Sequence, residues 1–291
     1  MKIYYGIISD KYDVTTICYN LLKVNNSIII PSGDYDRSYY FKDRHVNVLK
    51  KIFIDINGTE TIYSDAVEIH INVITNEIKV YNEEKLLENI HNKLKLDFGS
   101  FNDEVPEQQM VVKFFKGHEK VLEIGGNIGR NSLVIATIVN NNNFVTLESD
   151  KKIANQLKHN RDINNMTFKI EDKALSKQKL IQKGWDTIPS DVLLNGYFLI
   201  DTITWQELNN KYNIPFDTLV LDCEGAFYYI LKDTPEILNN IKMIIMENDY
   251  HNLEHKIYVD NVLKANGFYV IYKRGGGWGP CKDNFFEVWN K

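Results

Sequence analysis

The stretch Glu123-Ile124-Gly125-Gly126-Asn127-Ile128-Gly129 combines glycines with an acidic residue in a way that suits a ligand-binding loop. Glycines let the backbone turn sharply and approach a ligand closely. The apolar run from Lys120 to Ile124 reads as a strand feeding this loop, and Asn131 to Val139 reads as the helix leaving it. A dinucleotide loop requires Gly-x-Gly-x-x-Gly so that a pyrophosphate can sit on the helix amino terminus. Here Asn127 stands where the second of those glycines belongs, and Glu123 lies two positions before Gly125. A carboxylate there suits a cationic, amino-acid-bearing cofactor better than a pyrophosphate, which points to S-adenosylmethionine.

Further acidic residues fall where such a cofactor would need them. Glu148, followed by Ser149, closes the next apolar strand, Phe144 to Leu147, and a carboxylate in that place can accept both ribose hydroxyls. Glu171 and Asp172, followed by Lys173, end the third strand beside the expected adenine position. The expected cofactor-binding set is therefore Glu123, Gly125, Gly126, Asn127, Gly129, Glu148, Ser149, Asp172, Lys173 and Asp222. Gly125→Val is expected to block the cofactor while leaving the fold intact.

Two blocks carry a resemblance to a known family. Val121-Leu122-Glu123-Ile124-Gly125-Gly126-Asn127-Ile128-Gly129 is the first. The second is Thr202-Ile203-Thr204-Trp205-Gln206-Glu207-Leu208 with Phe216-Asp217-Thr218-Leu219-Val220-Leu221-Asp222-Cys223-Glu224-Gly225. Together they resemble the FkbM family of methyltransferases over roughly residues 105–290. The chain departs from that pattern at Glu123, where Asp is commoner, at Trp205, where Leu is usual, and at Phe227, where an acidic residue often follows. The resemblance implies an S-adenosylmethionine-dependent O-methyltransferase acting on a sugar or polyketide hydroxyl by direct transfer from the sulfonium. A sugar or nucleotide-sugar in glycan biosynthesis is the expected acceptor. Two other readings stay open: a non-catalytic S-adenosylmethionine-binding or glycan-assembly protein, and a methyltransferase for another small-molecule hydroxyl.

In an open parallel sheet, ligands sit beyond the carboxyl ends of the strands, where Asp222, Glu224 and Glu247 fall. Methyl transfer is an in-line displacement, so the protein aligns the reactants and removes the hydroxyl proton. Asp222, Glu224, Glu247 and His251 are the catalytic candidates, with Glu224 or His251 as the base. A divalent ion would lower the pKa of a sugar hydroxyl. Asp222, Glu247 and Asn248 form a hard-oxygen set suited to Mg2+ and similar to that of catechol O-methyltransferase. The competing expectation has Asp222 and Glu224 holding the loop through backbone N–H groups, with no metal. Trp278, in Gly275-Gly276-Gly277-Trp278-Gly279-Pro280, suits stacking on a pyranose. Asp34, Arg37 and Tyr39 are candidate glycan contacts or exposed turn residues.

These groups need a scaffold. Beyond Pro106, helices alternate with short apolar strands, which implies an α/β fold with a mainly parallel sheet; the resemblance implies that it is a Rossmann-like, class I methyltransferase sheet of seven strands. Phe268 to Tyr272 and Phe285 to Trp289 have no helix between them and should close that sheet as an antiparallel hairpin. Before it, Val67, Ile69, Ile71 and Val73 alternate with polar residues, and Asn57-Gly58 marks a turn. The expected organisation is a β-rich accessory module over 1–82, a helical linker over 83–104 and a methyltransferase domain over 105–291.

Composition narrows the remaining classes. With 44% hydrophobic and 25% charged residues, the 291-residue chain is ordinary for a globular protein. A net charge of -5 without a basic block argues against nucleic acid. Three scattered cysteines form neither a disulfide framework nor a metal knuckle. Apolar runs such as Leu133 to Val139 are too short to span a membrane. The expectation is a soluble cytoplasmic protein, in the host cytoplasm if viral, whose partner is a small-molecule or glycan acceptor. Self-association through the amino-terminal module is left open.

Overall fold

The computed structural model describes residues 1–291 and divides them into two compact units, Met1–Glu88 and Asn89–Lys291. The first unit contains two antiparallel four-stranded sheets. One is ordered Asp10–Asp13, Lys2–Ile7, Lys51–Ile56, Thr59–Tyr63; the other Lys23–Val24, Ser27–Ile30, Glu68–Asn72, Ile78–Tyr81. Alternation sets which faces are buried: Ile69 and Ile71 are fully buried, whereas Glu68, His70 and Asn72 between them are only partly so. Besides the expected helix from Glu83, here Glu83–His91, which starts in its last residues, the unit has two helices, Thr15–Leu21 and Asp34–Phe41. Neither was expected from the sequence, because each is short and polar and lacks a side-chain cap.

Asp34–Phe41 corrects one functional expectation. Arg37 is fully buried, and its guanidinium donates to the carbonyls of Pro31 (2.8 Å), Ser64 (2.8 Å) and Val67 (2.6 Å). Burial lowers its pKa to about 10. Asp34 accepts from the Tyr5 hydroxyl at 3.1 Å and pairs with buried Lys50 at 2.8 Å. Both side chains hold the unit together; Arg37 is closed off from a glycan, Asp34 stays partly exposed and Tyr39 is exposed.

In the second unit, the main strands are β1 Val121–Ile124, β2 Phe144–Leu147, β3 Lys169–Glu171, β4 Thr218–Leu221, β5 Met243–Glu247, β6 Tyr269–Arg274 and β7 Phe286–Asn290. They form one seven-stranded sheet ordered β3-β2-β1-β4-β5-β7-β6. The first five are parallel, and β7 runs antiparallel between β5 and β6. This is a Rossmann-like α/β fold, with the terminal hairpin at the sheet edge. Every residue of β1, β2 and β4 is buried, which is why these strands read as continuous apolar runs. The helices are α1 Val105–Phe114, α2 Arg130–Ile138, α3 Lys151–Ile163, α4 Trp205–Tyr212, α5 Phe227–Asp233 and α6 Leu253–Ala265. Asp150 caps α3 by accepting from Lys152 and Ile153, and Thr204 with Glu207 forms a capping box on α4. Between β3 and α4 lies a three-stranded antiparallel sheet, Leu180–Lys183, Asp186–Pro189 and Phe198–Ile200, that the sequence reading did not find. No helix is long and apolar enough to cross a membrane.

The Arg37 network yields a stability test. Arg37→Ala removes three part-buried hydrogen bonds made by a charged donor, each worth about 1.5–3 kcal/mol. Denaturant unfolding should show a loss of at least roughly 3 kcal/mol; a loss under about 1 kcal/mol would show that water replaces the guanidinium.

Candidate functional site

A cavity of about 660 Å³ opens at the carboxyl ends of the central strands. Its wall takes Ile124, Gly125 and Asn127 after β1, Leu147, Glu148 and Ser149 after β2, Asp222, Cys223 and Glu224 after β4, and Glu247 at the end of β5. Neighbours β2 and β4 lie on either side of β1, so the cavity occupies the point where strand order reverses, the usual ligand position in such sheets.

Two glycines shape this point by what they lack. At Gly125 (φ +93) an added Cβ would lie 1.5 Å from the Asp222 carbonyl oxygen, and at Gly126 it would lie 2.2 Å from Thr146 Oγ1. Gly125→Val would therefore force β1 and β4 apart, so the expectation that it spares the fold is overturned. Gly126 and Gly129 face Thr146 and Leu157 and lie outside the cavity lining, where they shape the loop.

Glu148 fastens the loop. Its Oε2 accepts from the Asn127 backbone N–H at 2.9 Å and its Oε1 from that of Asp150 at 2.8 Å. Burial raises its pKa. From the other side, Glu104 Oε1 accepts from Asn127 Nδ2 at 3.2 Å and Arg130 Nη1 at 2.7 Å, which ties the start of α1 to the loop. Glu104, Asn127 and Glu224 all have left-handed backbone, at φ +56, +46 and +51, and all line the cavity. Such conformations cluster at functional sites.

Carboxylates crowd one end. Glu107 hydrogen-bonds Glu247, and burial, that bond and neighbouring Asp222 push the Glu247 pKa up to about 12. Burial together with Glu104, Glu107, Asp249 and Glu224 drives Asp222 well above the usual carboxylate range. Asp249 bonds Glu224 and is pushed to about 8, chiefly by burial. At neutral pH, Glu247 holds its proton, and burial among other acids disfavours the charged form of Asp222. Glu104, Glu107 and Asp249 were missed in the sequence. The signals available were Pro106 beside two acids at a helix start, and an acid, Asp249, two residues beyond Glu247 and therefore on the same face of an extended chain.

Other expected residues fall elsewhere. Glu123 is 2% exposed and turned inward, accepting from Ser132 Oγ and, at 3.3 Å, Asn131 Nδ2; it seats α2 and does not line the cavity. Asp172 pairs with Lys158 at 2.9 Å, while Lys173 reaches the cavity wall. Ser149 also lines it, donating to Gln182 Oε1 at 3.1 Å. His251 is exposed, is not part of the lining, and packs its ring 4.5 Å from that of Trp278, which is. Asn248 corrects the metal set: its amide donates to the Asn284 carbonyl at 2.7 Å and it is fully buried away from the cavity. No group of three acidic, His or Cys side chains is arranged to hold a metal ion, so the donor geometry does not fit magnesium. Trp278 and Trp185, the latter from the inserted sheet, both line the cavity and are about half exposed.

No family model and no curated protein matches the chain. Similar solved structures include an O-methyltransferase from Bacillus cereus in complex with SAH (15% identity, 72% of this chain and 90% of that one, TM-score 0.41). A putative O-methyltransferase from Klebsiella pneumoniae is also similar (14% identity, 72% and 88%, TM-score 0.39). So is a putative tRNA methyltransferase from Streptococcus pneumoniae in complex with S-adenosyl-L-methionine (12% identity, 64% and 72%, TM-score 0.39).

Buried Glu123 supplies a pH test. Burial raises its pKa from 4.5 to about 7, so the folded state holds a proton that the unfolded state releases. That contribution is fully present below pH 4.5 and is lost as pH rises through about 7. Glu123→Gln, which stays neutral, should gain stability over the parent protein between acid and alkaline pH, by on the order of 3 kcal/mol. Paired denaturant titrations at acid and alkaline pH read this directly, and a pH-independent difference would refute it.

Proposed function

We propose that the chain is an S-adenosylmethionine-dependent O-methyltransferase acting on a hydroxyl of a sugar or nucleotide-sugar. One observation carries this: the glycine loop, Glu148 and the Asp222-Cys223-Glu224-Gly225 turn, far apart in the sequence, line one cavity at the point where strand order reverses. Two of the three lie in the segments that resemble the FkbM family, from which the acceptor class is taken.

The residues present fit the cofactor. Glu148 reaches the wall where a carboxylate can meet ribose hydroxyls, and Leu147, Ile153 and Leu175 offer an apolar surface to an adenine. When bound, S-adenosylmethionine supplies a methyl group on a sulfonium. This chain's part is to orient the acceptor, exclude water and take the hydroxyl proton. Glu224, on the wall and in a left-handed turn, is the proposed base. Glu247, which holds its proton, and Asp222, whose burial disfavours its charged form, are less suited to accepting that proton. Trp185 and Trp278 provide aromatic faces for a sugar ring.

Calorimetric titration of the whole chain with S-adenosylmethionine and with SAH tests the reading. Both should bind at one site, and Glu148→Gln should weaken binding at least about tenfold, about 1.4 kcal/mol. Absence of binding, or an affinity untouched by Glu148→Gln, would remove the basis of the proposal.

A further inference from the structure

Seven acidic side chains line the cavity against two basic ones, Arg130 and Lys173. Three of the seven are accounted for. Glu104 pairs with Arg130 at 2.7 Å, Glu148 accepts two backbone N–H groups, and Asp233 accepts Gln178 Nε2 at 2.8 and 2.7 Å. The remaining four, Glu107, Asp222, Glu224 and Glu247, have no cation among their hydrogen-bond partners. Glu107 bonds Glu247, and Glu224 bonds Asp249, so the acids lean on one another. Glu107 adds a separate observation: it is 5% exposed, its side chain lines the cavity, and its Oε2 has no hydrogen-bond partner. A buried carboxylate oxygen without a donor is costly, and a ligand that brings a donor to this wall removes the cost.

The cofactor alone does not balance these groups. Its sulfonium and ammonium are offset by its own carboxylate, leaving one net positive charge for four carboxyl groups, of which Glu247 alone is neutralised by its own proton. A divalent ion is disfavoured because Asn248 faces away and no three ligating side chains converge. An ammonium group differs: it offers three donors in three directions and needs no fixed coordination shell.

Building on the methyltransferase reading, we infer that the acceptor is cationic, an amino sugar whose protonated amine is held by Glu107 and Glu247 while a neighbouring hydroxyl faces Glu224. On binding, the proton that Glu247 holds beside Glu107 leaves to solvent, and the ammonium takes its place between the two carboxyl groups. Amine recognition would therefore release protons at neutral pH, which a neutral acceptor would not do.

The test uses the whole chain, first titrated with SAH. Matched pairs are then titrated into the SAH-loaded protein: glucosamine against N-acetylglucosamine, and galactosamine against N-acetylgalactosamine. Each pair differs by acetylation of the amine, which removes its charge. The amines should bind at least about tenfold tighter than their acetylated partners, with proton release seen as a dependence of the binding heat on buffer ionisation enthalpy. Glu107→Gln should abolish that preference while leaving SAH affinity intact, which also shows that the variant folds. The inference is overturned if the acetylated sugars bind equally well, if no amine binds, if Mg2+ displaces the amine, or if Glu107→Gln loses SAH affinity instead. Failure of SAH to bind would sink the methyltransferase reading alone, because the amine preference is still measurable on the free protein.

Discussion

The tips of β1 and β4 approach so closely that only glycine fits between them. Asp222 N–H donates to the Ile124 carbonyl at 3.1 Å, and its own carbonyl oxygen occupies the place a Gly125 Cβ would need. Strand order reverses at these neighbours, so the connections leaving them diverge and open a crevice. The same contact sets the glycine loop beside the acidic turn. Any side chain at Gly125 would widen the gap and separate the two halves of the site, so the site's geometry and the sheet's closure rest on one constraint.

Around that contact the backbone is held in conformations it would not choose alone. Asn tolerates the left-handed region, but Glu104 and Glu224 do so less readily, and such residues cost on the order of 1–3 kcal/mol where the surroundings impose them. At Asn127 and Glu104 the compensation is visible. Asn127 N–H reaches Glu148, its amide reaches Glu104, and Arg130 closes the circuit on the same Glu104 oxygen. One turn after β1 is thereby bonded to the end of β2 and to the start of α1. A rim fixed in this way reorganises little when a ligand arrives, which favours binding.

Much of this was legible in the sequence, and the reason is burial. Strands covered on both faces must be apolar throughout, so β1, β2 and β4 stood out, and with them the residues at their ends. Orientation was less legible. Glu247 and Asn248 are adjacent on an extended chain and therefore point to opposite faces; the metal set required both on one side, and the structure sends Asn248 to Asn284. Glu123 sits in the middle of β1's buried run, so its carboxylate faces α2 instead of the crevice. Sequence position says which residues reach a strand end, whereas alternation decides which of them enter the cavity. The inserted sheet over 180–200 and the helices of the first unit were missed because short elements with mixed exposure leave no period to read.

Charge then divides labour among residues of the same type. Glu148 and Glu247 both end strands and both line the cavity, yet Glu148 accepts two backbone N–H groups whereas Glu247 meets Glu107 and Asp222. Backbone donors stabilise a carboxylate; neighbouring acids destabilise it and favour the protonated form. One end of the crevice thus offers a carboxyl group anchored in the loop by backbone N–H groups, and the other offers Glu247, which gives up its proton only when positive charge approaches. A cavity with such ends is polar along its length, and a ligand spanning it would place hydroxyl donors at Glu148 and its most cationic part at Glu107 and Glu247.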